Sequence, residues 1–158
     1  MKGTDFDELA FFRAIGSSGA RALLIGRRAL VVLGLPVLTA DYDFWLHIDD
    51  IEKFNDAAGA FDLQPSVEAS AARHRGRYVL ANDERVDVLV ARSAPTVDGQ
   101  TVAFDELWAS RELAPLADGV SVVLPSVAGL ILTKRFAARP KDIEDIRLLE
   151  VLQKEREQ

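Results

Sequence analysis

The chain has 158 residues, 19 basic and 25 acidic side chains, a formal charge of −6 and an apolar content of 49%. That length and apolar content suit a single domain with a packed core and exclude global disorder. With no cysteine and only two histidines, disulfide, thiolate-metal and cysteine-nucleophile chemistry are excluded, any metal must rest on carboxylates, and the acidic balance opposes bulk binding of nucleic acid.

Met1 to Leu9 is acidic, unlike a secretory signal. The longest apolar stretch, residues 29–40, is shorter than the roughly 20 residues of a spanning helix. A cytoplasmic protein with no membrane partner is expected. Phe6, Leu9, Phe12 and Ile15 recur at helical spacing, which predicts a helix over 5–15, closed by Gly16-Ser17-Ser18-Gly19. Ala22 to Ile25 reads as a buried strand and 28–33 as a short helix ending at Gly34. Pro36 makes 35–39 a loop. Tyr42 to Ile48 is aromatic and branched, a strand, and 51–59 is a helix capped by Asp49 or Asp50.

Residues 77–81 and 85–91 are strands joined by the hairpin turn Asn82-Asp83-Glu84. Residues 93–99 read as loop, 104–110 as helix, 120–124 as a last strand and 127–138 as helix. Pro140 starts another helix, with Ile143, Ile146, Leu149 and Leu152 on one stripe and a frayed tail from Lys154. The order predicts an α/β (α+β) fold, a mixed sheet with helices packed on it. The expected division is a core over 1–125 and a helical segment over 126–158 on the same domain.

The sharpest feature is Asp41-Tyr42-Asp43 at the head of an apolar strand. Residues two apart in a strand project to one side, so the two carboxylates stand together beside Phe44 and Leu46. Like charges near a core are costly unless a cation lies between them, and hard divalent ions prefer such oxygen ligands. Capping of a turn by Asp41 and exposure of Asp43 is the plainer alternative. Asp87 interrupts the apolar run Val86, Val88, Leu89, Val90. It joins the other two if the hairpin pairs beside the Tyr42 strand. Three carboxylates on adjacent strands can hold two magnesium ions for in-line displacement at phosphorus. Upstream, Gly26 closes a strand just before a helix, a joint suited to phosphate oxygens, though no Walker loop is present.

The ordered set Gly26, Ala29, Gly34, Thr39, Asp41 and Asp43, then Asp87 in Arg-Val-Asp-Val-Leu, then Lys134 and Arg139-Pro140-Lys141-Asp142, resembles the nucleotidyltransferase superfamily with the polymerase-beta type fold. The likeness is to its small bacterial and archaeal minimal and abortive-infection types, and it spans about residues 22–149. It implies a mostly antiparallel sheet flanked by helices. By the resemblance, Asp41, Asp43 and Asp87 are catalytic and bind two Mg2+ ions (or Mn2+), while Gly26, Arg27, Thr39 and Lys134 hold a nucleoside triphosphate. The implied reaction transfers a nucleoside monophosphate to a hydroxyl of a small molecule, RNA or protein, releasing pyrophosphate. A partner protein or a homodimer would complete so short a chain.

Arg27 stands where the family has a small residue, and Val37 replaces its usual arginine. An arginine beside Gly26 either blocks phosphate or binds it. The alternative is therefore an inactive or weak nucleotide-binding regulatory module, as in a toxin–antitoxin pair. Solvated Lys134 is the plainer alternative for that residue. Asp142 and Asp145 read as first-turn helix acids, and His47 with Asp49 and Asp50 as structural or surface groups. The basic run Arg73 to Arg77 reads as a solvated loop, with contact to RNA or phosphate near the site as the alternative, and Trp45 and Trp108 as core or interface residues.

Overall fold

The computed structural model describes residues 6–158. Helix α1 (Glu8–Ser17) is capped by Asp7, whose carboxylate accepts the Ala10 N–H. The expected start at Asp5 lies outside the described residues. Strands β1 (Ala22–Ile25) and β2 (Tyr42–Leu46) flank the short helix α2 (Gly26–Val32). A 3-10 turn (Ile48–Asp50) leads into α3 (Ile51–Gly59). The two-residue strand β3 (Gln64–Pro65), helix α4 (Ala69–Arg75) and the hairpin β4 (Arg77–Ala81) and β5 (Arg85–Leu89) follow.

A small hairpin of β6 (Ser93–Pro95) and β7 (Thr101–Ala103) precedes α5 (Phe104–Ala109). Strands β8 (Glu112–Pro115) and β9 (Ser121–Leu124) form a second ribbon. Helices α6 (Val127–Lys134) and α7 (Pro140–Arg156) close the chain. Among the described residues no helix is long and apolar enough to cross a membrane.

The main sheet has five strands in the order β1-β2-β5-β4-β3, and only the β2–β5 pair is parallel. The expected mixed, mostly antiparallel sheet with flanking helices is therefore observed. One sheet face carries Leu24, Tyr42, Phe44, Leu46, Val86, Val88, Tyr78 and Leu80, all in the main core with Phe11, Phe12 and Phe54. Edge-on aromatic contacts such as Phe44–Phe54 and Phe11–Tyr42 fill it. The other face divides. Leu23 and Trp45 are sealed under Val102, Phe104 and Leu107, and beyond them the face is open.

Several expectations are corrected. Residues 69–75 are helix, so the basic run from Arg73 is the last turn of α4 and not a loop. Residues 93–95 form a strand where a loop was expected, and 112–115 form one that the sequence pattern did not signal. The end of α7 is helical to Arg156, which pairs with Glu112 at 3.2 Å, so the tail is not frayed from Lys154. The side chain of Asp50 does not cap α3. It accepts Arg21 Nε at 2.8 Å and Nη2 at 3.0 Å, and this pair of a buried carboxylate with a partly exposed arginine ties the start of β1 to the turn after β2. The arginine holds the Asp50 carboxyl below its ordinary range.

Candidate active site

The parallel register of β2 and β5 sets Asp43 opposite Asp87. Paired residues share a face, so both carboxylates stand on the open side of the sheet. Ile25 pairs with Asp43 from the other flank, and Gly26 follows it. Gly26 has φ +72°, and a Cβ placed there would lie 2.6 Å from Asp43 Oδ2. Only glycine meets both the backbone conformation and this close approach. Asp41 lies in the loop before β2. Its N–H donates to Thr39 Oγ1 at 3.1 Å. Arg28 donates to the carbonyls of Thr39 and Asp41 at 3.2 and 3.3 Å and stacks on the Tyr42 ring, which fixes that loop.

Gly26, Thr39, Asp41, Asp43 and Asp87 line one cavity of about 520 Å³, shared with Arg27, Arg77, Arg85, Lys134, Arg139, Lys141 and Asp142. Burial, followed by the charges of Asp87 and Asp41, pushes the Asp43 carboxyl up from 3.8 to about 6. Lys134 and Lys141 pull it the other way but do not win. The three acids are thus close enough to repel, which is the electrostatic environment a hard cation relieves. Their oxygen donors fit magnesium or manganese in kind. They are not gathered into a finished cage: among the described residues no group of three His, Cys, Asp or Glu side chains is set to hold an ion. Asp87 instead accepts Arg85 Nε at 3.1 Å and Nη2 at 3.0 Å.

No protein-family model matches the sequence, and no curated protein does either. Solved structures do share the architecture. A candidate nucleotidyltransferase from Thermotoga maritima superposes with a TM-score of 0.58 at 12% identity, over 91% of this chain and 86% of that one. The antibiotic-resistance factor ANT(2'')-Ia gives 0.61 at 15% identity, over 89% and 78%. The lincosamide antibiotic adenylyltransferase LnuA, solved with lincomycin bound, gives 0.63 at 14%, over 93% and 98%. The chain has the nucleotidyltransferase fold.

On this fold, α6 and α7 bring a buried ion network to one wall of the cavity. Lys134 is 7% exposed, with Nζ 2.8 Å from Asp145 and 4.0 Å from Asp142. It is not a solvated lysine. Asp145 is fully buried and also meets Arg27, whose Nε donates to Oδ2 at 3.1 Å and whose Nη2 lies 3.1 Å from Oδ1. Arg27 further touches Glu144 and the Leu38 carbonyl at 3.4 Å each. Its guanidinium is therefore turned onto α7. Asp142 accepts Arg139 Nε at 2.7 Å, Nη2 at 3.1 Å and the Arg139 N–H at 3.3 Å. Burial would raise the Asp142 carboxyl, but these bonds and charges keep it below its ordinary range.

Asp142 lies in the first turn of α7 as expected, whereas Asp145 stands one turn further along. They are buried counter-charges for Lys134, Arg27 and Arg139. Arg28 was missed altogether, while Arg77, Arg85, Arg139 and Lys141 were read only as parts of their motifs. Arg85 carried a plain local signal, two residues from Asp87 on the same strand face. His47 proves structural: its Nδ1 accepts the Asp49 N–H at 3.1 Å. Trp45 is fully buried, with Nε1 donating to the Ala91 carbonyl.

Proposed function

We propose that the protein is a metal-dependent nucleotidyltransferase that moves a nucleoside monophosphate from a nucleoside triphosphate to an acceptor hydroxyl, with release of pyrophosphate. The observation that carries this reading is the alignment of Asp43 with Asp87 across a parallel strand pair, with Asp41 two residues away and the bare surface of Gly26 against Asp43. The shared fold with an adenylyltransferase supports it.

In this reading Asp41, Asp43 and Asp87 hold the divalent ions, which when bound offset phosphate charge at the reacting phosphorus. Gly26 leaves room for phosphate to approach the backbone. Thr39 keeps the Asp41 loop in place. Lys134 on α6 and Arg27 on α2 present positive charge while anchored on Asp145 of α7, and Lys141 adds an exposed cation. Lys134, Arg27 and Lys141 thus give the Gly26 end of the cavity cations suited to a polyanion such as a triphosphate, on a chain whose net charge is −6. Asp87, once released from Arg85, is placed to orient the attacking hydroxyl.

Calorimetry with each of the four nucleoside triphosphates, with and without magnesium, tests the reading. Magnesium-dependent binding is expected in the wild type and not in an Asp41→Ala, Asp43→Ala double variant. Equal binding by the two proteins would remove the metal site. Transfer of α-labelled phosphate to RNA, protein or small molecules of a cell extract then separates an enzyme from a binding module. Binding without any transfer favours the module, for which the Arg85–Asp87 pair is the supporting observation.

A further inference from the structure

The cavity runs across the sheet from Gly26 at the end of β1, past Asp43 on β2 and Asp87 on β5, to Arg77 and Val79 on β4. Three strand spacings make this roughly 14 Å. Its two ends differ in how their cations are employed. At the Gly26 end, Lys134 and Arg27 are fastened to buried Asp145. Lys134 and Lys141 both act on the charge of Asp43. At the far end Arg77 is exposed, and among the described residues its guanidinium has no hydrogen-bond or ion-pair partner. Arg77 pairs with Leu89 while Val79 pairs with Asp87, so Arg77 lies diagonal to Asp87 on the same face. Arg85 flanks Asp87 from its own strand and binds it through Nε and Nη2.

In-line displacement puts the attacking hydroxyl and the leaving pyrophosphate on opposite sides of the reacting phosphorus. If the triphosphate tail lies toward Gly26, Lys134 and Lys141, the acceptor must enter over Asp87 from the β4–β5 end. This step rests on the nucleotidyl-transfer reading. We infer that Arg77 and the guanidinium of Arg85, once it leaves Asp87, form an acceptor subsite for a hydroxyl compound that carries a phosphate group near its hydroxyl. One arginine fork satisfies a planar carboxylate, whereas two guanidinium groups on different strands match a tetrahedral phosphate with three oxygens. The apolar surface of Val79 forms the floor between them.

The test uses the full chain with magnesium and a non-hydrolysable nucleoside triphosphate. Four probes are titrated: glycerol, glycerate, glycerol 3-phosphate and a short ribo-oligonucleotide with a free 3'-hydroxyl. Glycerol 3-phosphate, the oligonucleotide or both should bind at least about tenfold tighter than glycerol and glycerate. Arg77→Ala should remove that advantage, Arg77→Lys should restore part of it, and triphosphate affinity should not change. Sensitivity of the small phosphate alone marks a phosphorylated metabolite, and sensitivity of the oligonucleotide alone marks a nucleic-acid end. Equal affinities of wild type and Arg77→Ala for both phosphate probes overturn the subsite, as does binding of neither. A fall in triphosphate affinity in Arg77→Ala also overturns it, because Arg77 then belongs to the nucleotide end. If the wild type binds no triphosphate, the transfer reading falls by itself. The same probes titrated onto the free protein still decide the subsite.

Discussion

Lys134–Asp145 and Arg85–Asp87 are the same chemistry in two settings, and they bound opposite ends of one cavity. The first pair is buried, with side-chain exposures of 7% and 0%. The second is open to water, at 60% and 37%. A buried charge cannot fall back on solvent when its partner is lost, whereas an exposed one can. The buried end is therefore a fixed electrostatic wall, and the open end consists of charges that can exchange partners. A site that holds one substrate in place while admitting another benefits from both.

The largest expected effect breaks the fixed wall. Asp145→Ala leaves Lys134 and Arg27 without their shared buried counter-charge, and urea unfolding should show a loss of about 3–5 kcal/mol. Asp145→Leu combined with Lys134→Met, which removes both charges, should recover a large part of that loss. No recovery would mean that Asp145 acts mainly through Arg27.

Asp43 gives the next effect, of opposite sign. Its carboxyl titrates near 6 when folded, against 3.8 ordinarily. The folded protein therefore holds this proton more tightly than the unfolded chain does. Ionised Asp43 opposes folding above about pH 6, and the penalty fades as the pH falls toward 4. Asp43→Asn should stabilise the protein by about 1–3 kcal/mol near neutral pH and by almost nothing at the acid end of that window. The same variant should lose magnesium-dependent nucleotide binding. A pH-independent gain would point to packing instead of charge.

Gly26→Ala forces a side chain into a left-handed conformation and onto Asp43 Oδ2. It should cost about 1–2 kcal/mol in unfolding and weaken nucleotide binding further than that loss explains. Arg85→Ala is expected to have the smallest effect on stability, with an unchanged thermal midpoint, because the pair it removes is solvent-exposed. Magnesium affinity should rise in that variant, since Asp87 no longer has a competing cation. A clear drop in midpoint would erase the contrast between the two ends.

Asp43 and Asp87 were legible because strands alternate with a period of two and each broke an apolar run in that phase, whereas Asp41, two residues before Asp43, lies in the loop ahead of the strand. The hairpin around Asn82-Asp83-Glu84 was legible from its turn chemistry. Helix α4 was not, because its sequence is alanine-rich and polar and buries only Ala72, so it carries no apolar stripe. Strands β6 and β8 are short, and Pro95 and Pro115 end them. Proline reads locally as loop, yet it suits the edge of a two-stranded ribbon. The ion network was invisible for another reason: Arg27 and Asp145 are 118 positions apart.

By itself the sequence determined the sheet's core face, the place of Asp43 and Asp87 within strands, and the strand-to-helix joint at Gly26. These follow from periodicity and backbone sterics, which act between near neighbours. Only the tertiary structure decided that β5 lies beside β2, which brings Asp87 to Asp43. It also decided that Arg27 turns onto α7, that Lys134 is buried, and that Arg77 faces the open end of the cavity. Charge pairing across the fold depends on which surfaces packing brings together, and no local pattern encodes that.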